Sequence, residues 1–164
     1  MRRHIPLVII ILFFTRCKSD NSVLTDVNHF PSYPSASGIE YYNHKFYIIG
    51  DDATHLLILD SSLVISDSIR LFEGVERKIP KDIKPDLESV SLTDDSRLLL
   101  LGSGSKAPYR YKGWLIDPNK KSKDSLRLDT FYQRLLLSGI NELNIEGATA
   151  IPGHFVLSSR GSKG

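Results

Sequence analysis

Cysteine is almost absent from this sequence of 164 residues, in which Cys17 is the single one. A lone thiol excludes an intramolecular disulfide. Long apolar runs are absent too, because the run within residues 5–14 has about half of the ~20 residues that a transmembrane helix needs. The phosphate-loop pattern Gly-x-x-x-x-Gly-Lys-Ser/Thr is also missing, which excludes nucleotide binding by that route.

The N-terminus has the pattern of a bacterial lipoprotein signal. Basic residues at positions 2–4 precede the apolar run, as in a secretory signal peptide. Cys17 follows the run directly, where such signals place the cysteine that receives lipid, although Arg16 stands where a small residue is usual. We therefore expect residues 1–16 to be removed and Cys17 to anchor the protein to a membrane through its acyl chains.

The residues after Cys17 predict a polar tether and then one folded domain. Residues 17–29 form the tether, and its start at positions 18–21 resembles that of Bacteroidota lipoproteins exported to the outer membrane. This resemblance implies an outer-membrane lipoprotein of the bacterial cell envelope, on the periplasmic or the surface side. Removal of three arginines leaves 21 − 3 = 18 basic residues against 19 acidic ones. A net charge of −1 gives no basic field for nucleic acid.

Residues 30–164 have the pattern of an all-β domain. Short runs rich in Leu, Ile, Val and Tyr are separated by turn residues, which favours a meander of antiparallel strands. Only residues 129–137 leave the choice open, because a short helix and an additional strand both fit their apolar pattern.

An internal repeat refines this prediction. Similar segments begin at Ser37, Glu88 and Glu146, with spacings of 88 − 37 = 51 and 146 − 88 = 58 residues. A period near 50 that contains several strands is typical of a propeller blade. Propellers have about four to eight blades, so about three units predict an incomplete β-propeller-like domain. A small complete β domain is the alternative.

The repeat motifs resemble those of known propeller families. Segments 36–40, 86–90 and 144–148, each followed by a hairpin, resemble the esterase-like phytase and gluconolactonase/regucalcin families. The chain as a whole looks like uncharacterised propeller lipoproteins of Bacteroidota. The resemblance implies that acidic residues on the innermost strands bind a divalent ion, and Glu88 and Glu146 are the matching positions, with Ser37 in the first unit.

The repeat itself also suggests a metal site. Equivalent positions of a propeller converge on its axis, so the carboxylates of Glu88 and Glu146 would meet and repel unless a cation relieved the repulsion. Asp51, at the end of the first unit, is a third candidate ligand. Calcium suits such oxygen ligands. The alternative is that each glutamate only caps a turn.

Basic residues after the inner strands suggest an anion site. Lys106 and Lys163 follow matching Gly-Ser pairs, and Arg160 lies close to the second pair. Backbone N–H groups beside a cation can hold a small anionic ligand such as a phosphate or a carboxylate. Exposed polar turns are the alternative.

These features predict a lipid-anchored, exported, propeller-like protein that binds a ligand of unknown specificity. A metal-dependent phosphoesterase of the phytase kind, or a lactonase, is the first alternative, and a truncated non-functional fragment is the second. No complete catalytic set is evident in the sequence, so catalytic residues are not assigned and enzymatic activity stays open.

Overall fold

The computed structural model describes residues 27–74 and 77–161. The predicted signal, Cys17, most of the tether and Lys163 lie outside the described residues, so the predictions for them stay predictions. Within the described ranges, no helix has both the length and the apolar character that crossing a bilayer requires.

Two antiparallel meanders of four strands and one hairpin make up the fold. The first sheet has the order β1-β2-β3-β4 and the second the order β5-β6-β7-β8, while β9 and β10 pair with each other. The strand bounds are β1 Ala36–Tyr42, β2 Lys45–Gly50, β3 His55–Asp60, β4 Ile65–Arg70, β5 Leu87–Leu92, β6 Leu98–Gly102, β7 Lys112–Asp117, β8 Ser122–Arg127, β9 Ile145–Ile151 and β10 His154–Ser159. The prediction of an all-β fold with three repeat units is confirmed.

The three sheets are arranged like successive blades of a propeller. Strand β5 lies beside both β1 and β9, so the first strands of the three sheets are neighbours. Each sheet then continues outward strand by strand, as blades do around a channel. The described residues form two full blades and the inner hairpin of a third, and they do not close a ring.

The main core lies between the first two blades. Alternate residues of a strand point to opposite faces, so residues two apart along each strand share this interface. Its buried members are Tyr47, Ile49, Leu56, Ile58, Ile69, Leu71, Leu87, Val90, Leu98, Leu100, Trp114 and Ile116. Burial of one such side chain stabilises the fold by about 1.5–3 kcal/mol.

Residues 129–137, which the pattern left open, form the helix α1, Asp129–Leu137. Asp129 lies in its first turn, where a negative charge interacts favourably with the helix dipole. Tyr132 is fully buried and its hydroxyl donates a hydrogen bond of 2.6 Å to the carbonyl of Gly102 at the end of β6. The helix therefore packs on the second blade at the end of β6.

Candidate functional site

A β-bulge recurs at the same place in all three blades. Pairing of β1 with β2 skips Ser37, pairing of β5 with β6 skips Glu88, and pairing of β9 with β10 skips Glu146. A bulged residue leaves the ladder and its side chain is re-aimed. The structure thus supports the predicted equivalence of these three positions, because each is the bulged residue that leaves the strand pairing of its blade.

The first two bulges bring the first two blades together at their inner ends. Ser37 donates a hydrogen bond of 2.5 Å from its hydroxyl to the carbonyl of Leu87, the residue before Glu88. At the bulge position, where the other two blades have a carboxylate, the first blade therefore has a hydroxyl, and this hydroxyl holds the neighbouring blade.

Three carboxylates meet beside these bulges. Oxygens of Asp51, Asp86 and Glu88 all lie within 4.8 Å of one another. They line a cavity of about 940 Å³, and Glu146 lies on the wall of the same cavity. Of the three predicted metal ligands, Asp51 and Glu88 are thus in direct proximity, while Glu146 faces the same space from the third blade.

Asp86 was not predicted as a site residue, yet it lies at the centre of the cluster. Its carboxylate accepts hydrogen bonds of 2.7 Å from the hydroxyl of Ser103 and from Nη1 of Arg110. Its other oxygen lies 2.8 Å from the ammonium of Lys84. Each of its two oxygens therefore already has a donor. A left-handed backbone, with φ of 56°, turns it toward the cavity, and the strand pattern gave no signal of this conformation.

Lys84 is the second residue that the sequence did not reveal. Its ammonium bridges Asp51 and Asp86, and the side chain is only 11% exposed. Burial lowers the pKa of Lys84, but hydrogen bonds to the two carboxylates outweigh it and raise that pKa overall. Lys84 is therefore charged and neutralises part of the cluster.

Two acceptor groups in the cluster remain without a protein partner. Asp51 contacts Lys84 through one oxygen, and its other oxygen, Oδ1, is buried with no hydrogen-bond partner in the described part of the chain. Glu88 forms no hydrogen bond or ion pair with any described residue. Burial, followed by the charges of Asp86, Glu146 and Asp51, raises the pKa of Glu88 to about 7.

The predicted anion-binding residues are distributed differently. Arg160 lies on the cavity wall and its Nη2 is 3.1 Å from Oε1 of Glu146. Lys106 is exposed and lies outside the residues that line the cavity, and Lys163 is outside the described residues. Acidic side chains outnumber the two arginines of the lining, Arg110 and Arg160. The cavity therefore offers more to a cation than to an anion.

Comparisons with known proteins identify a family without identifying an activity. A model described as "Family of unknown function (DUF6929)" matches residues 32–164. A search of curated proteins finds no match. Among solved structures, the chain is similar to the β-propeller domain of Cps50 (Swd1) from Myceliophteria thermophila, with 14% identity and a TM-score of 0.47 over 81% of this chain. The chain spans 35% of that structure's length.

Proposed function

The chain belongs to the family of unknown function DUF6929, and we propose that it is a ligand-binding domain whose propeller-like cavity binds a divalent cation. The observation that carries this proposal is the pair of acceptors left without a protein partner, Oδ1 of Asp51 and the carboxylate of Glu88. Buried polar groups in folded proteins almost always have partners, so the buried Oδ1 of Asp51, beside the half-buried and unpaired carboxylate of Glu88, favours a ligand.

The donor set fits calcium better than a transition metal. Calcium takes six to eight oxygen ligands, whereas softer metals favour imidazole or thiolate, which this cluster lacks among the described residues. Asp51 and Glu88 would be the direct ligands, and Glu146 could contribute through water from the facing wall. Asp86 already pairs with Lys84 and Arg110 and accepts a hydrogen bond from Ser103, so it would hold these two basic side chains in place.

We further propose that this domain is held at the bacterial cell envelope by a lipid on Cys17. The support is the signal pattern of residues 1–16 and the polar tether of residues 17–29. A small anionic ligand would then reach the cavity from outside the cell or from the periplasm. There it would meet the bound cation together with Arg160.

A metal-dependent phosphoesterase or lactonase is the second candidate, and one observation favours it. In this candidate Glu88 would act as the general base instead of as a cation ligand, since a pKa of about 7 lets it take up or release a proton near neutral pH. When bound, a divalent cation would polarise the carbonyl or phosphoryl oxygen of an ester. The residues of the chain would orient that ester through Arg110 and Arg160.

Isothermal titration of calcium into the full-length protein in detergent tests the proposal. We expect saturable binding that weakens at least tenfold in Asp51→Asn and in Glu88→Gln, since each loses a charged ligand. Asp95→Asn is the matched control, because Asp95 is exposed on the β5–β6 turn outside this cavity. Absence of calcium binding to the folded wild type would contradict the proposal.

The same preparations separate the two candidate functions. A panel of phosphoesters and lactones is incubated with the cation-loaded protein, with and without a chelator. Turnover that disappears with the chelator and in Glu88→Gln would support the enzyme. No turnover by folded protein that binds calcium would remove the enzyme and leave the ligand-binding domain.

A further inference from the structure

Lys84 is delivered to the acidic cluster by the segment between β4 and β5. The backbone N–H groups of Ile83 and Lys84 both donate to the carbonyl of Pro80, at 3.1 and 3.0 Å, and form a tight turn. The turn directs the side chain inward, where it is almost fully buried. Lysine is rarely buried unless it is paired, so the ion pairs with Asp51 and Asp86 account for its position.

The charges of the cluster nearly balance without any ligand. Asp51, Asp86 and Glu88 carry −3 when all are ionised, while Lys84 and Arg110 carry +2, which leaves −1. A divalent cation would bring the total to +1. Without Lys84 the cluster would start at −2, and the same cation would bring it to zero. The ammonium therefore works against the ion that the cavity is proposed to bind.

We infer that Lys84 is the residue that sets the cation affinity of this cavity. It does so as an internal counter-ion that occupies one oxygen of Asp51 and lowers the negative potential at Glu88. The inference rests on the proposed function, because it assumes that a cation enters between these two carboxylates. The carboxylate cluster can then persist without the cation, because the ammonium still pairs with Asp51 and Asp86.

The inference predicts opposite effects on binding and on the cation-free fold. Lys84→Met keeps an unbranched stem of similar length but removes the charge. Calcium affinity should rise at least tenfold, because the repulsion of a nearby ammonium in a partly buried site is lost. The cation-free protein should unfold at lower urea concentration, because Asp51 and Asp86 lose their shared partner. Calcium should restore that stability, since a ligand that binds only the folded state stabilises it.

Calcium titration of four full-length proteins tests this. They are wild type, Lys84→Met, Lys84→Arg and Lys78→Met. Lys78 is the matched control, since it pairs at 2.8 Å with Asp52, which is outside the three-carboxylate cluster. We expect at least tenfold tighter binding only in Lys84→Met. Lys84→Arg keeps the charge, and Lys78→Met removes a largely exposed charge outside the cluster, so both should stay within about threefold of wild type.

The possible results distinguish this inference from the proposed function. Equal calcium affinity in wild type and Lys84→Met would overturn the inference and leave the proposed function standing. Binding by Lys84→Met alone would support the inference and contradict calcium binding by the natural protein. No binding by either would overturn both. If Lys84→Met does not fold, Lys84→Gln is used, because its amide keeps a hydrogen-bond donor for the carboxylates while lacking the charge.

Discussion

Replacement of Glu88 by glutamine should stabilise the protein at high pH, because the native fold holds this carboxylate where its ionised form is disfavoured. Burial and the carboxylates of Asp86, Glu146 and Asp51 raise its pKa from 4.5 to about 7. The neutral form is thus favoured in the folded state. The stability that this contributes is present below pH 4.5 and is lost as the pH rises through about 7.

The size of the effect follows from the change in pKa. A rise from 4.5 to about 7 corresponds to about 3 kcal/mol, at ~1.4 kcal/mol for each tenfold change in the ionisation constant. Glu88 is only half-buried, so solvent screening reduces this to about 1–2 kcal/mol. Glutamine keeps the shape and removes the charge, so Glu88→Gln should gain that amount at pH 8 and less at pH 5.

Urea unfolding of wild type and Glu88→Gln at pH 5 and pH 8, with a chelator present, measures the difference. The advantage of Glu88→Gln should be larger at pH 8 by about 1 kcal/mol. Glu142→Gln is the control, because Glu142 lines the same cavity outside the three-carboxylate cluster. The reasoning would be refuted if the stability difference between the two proteins were the same at both pH values, or if wild type were more stable than Glu88→Gln at pH 8.

Three substitutions test other parts of the structure. Gly102→Ala should lower the free energy of unfolding, measured in urea, by about 1–3 kcal/mol, because a Cβ there would lie 2.6 Å from a backbone carbonyl oxygen. Gly161→Ala is the control, and it should change this free energy little because the space around Gly161 is open. Ser103→Ala should cost about 1–3 kcal/mol, because Asp86 loses a buried hydrogen bond of 2.7 Å, and an unchanged urea midpoint would contradict that role. Cys17→Ala should release the protein from the membrane fraction, where mass spectrometry should otherwise find acyl mass on the Cys17 peptide; an unmodified thiol on a soluble wild type would contradict lipidation.

The repeat could be predicted from the sequence because its signals are local. Strand runs, turns and a period near 50 residues are properties of neighbouring positions, and each of the three units forms the expected antiparallel hairpin. The equivalence of Glu88 and Glu146 was likewise readable from the alignment of the units. Residues 129–137 were ambiguous, because nine residues are too few for periodicity to decide, and burial of Tyr132 against the second blade settles them as a helix.

The rest of the site depends on loop conformation. Lys84 and Asp86 lie between strands, where no periodicity operates, and a positive φ at Asp86 together with the turn at Pro80 brings them inward. A pattern of Gly-Ser-Lys suggested Lys106 as a ligand, but Lys106 lies outside the cavity lining. Its side chain follows a turn whose direction the sequence repeat does not specify.

The location of a bound cation tests the central claim most directly. Crystals of the protein grown with calcium, or with manganese as an anomalous scatterer in its place, would show the ion by its anomalous difference density. We expect one peak between Asp51 and Glu88, at about 2.3–2.6 Å from their oxygens for calcium, and loss of that peak in Glu88→Gln. A cavity without a peak, in crystals that show the ion at another site, would contradict the account.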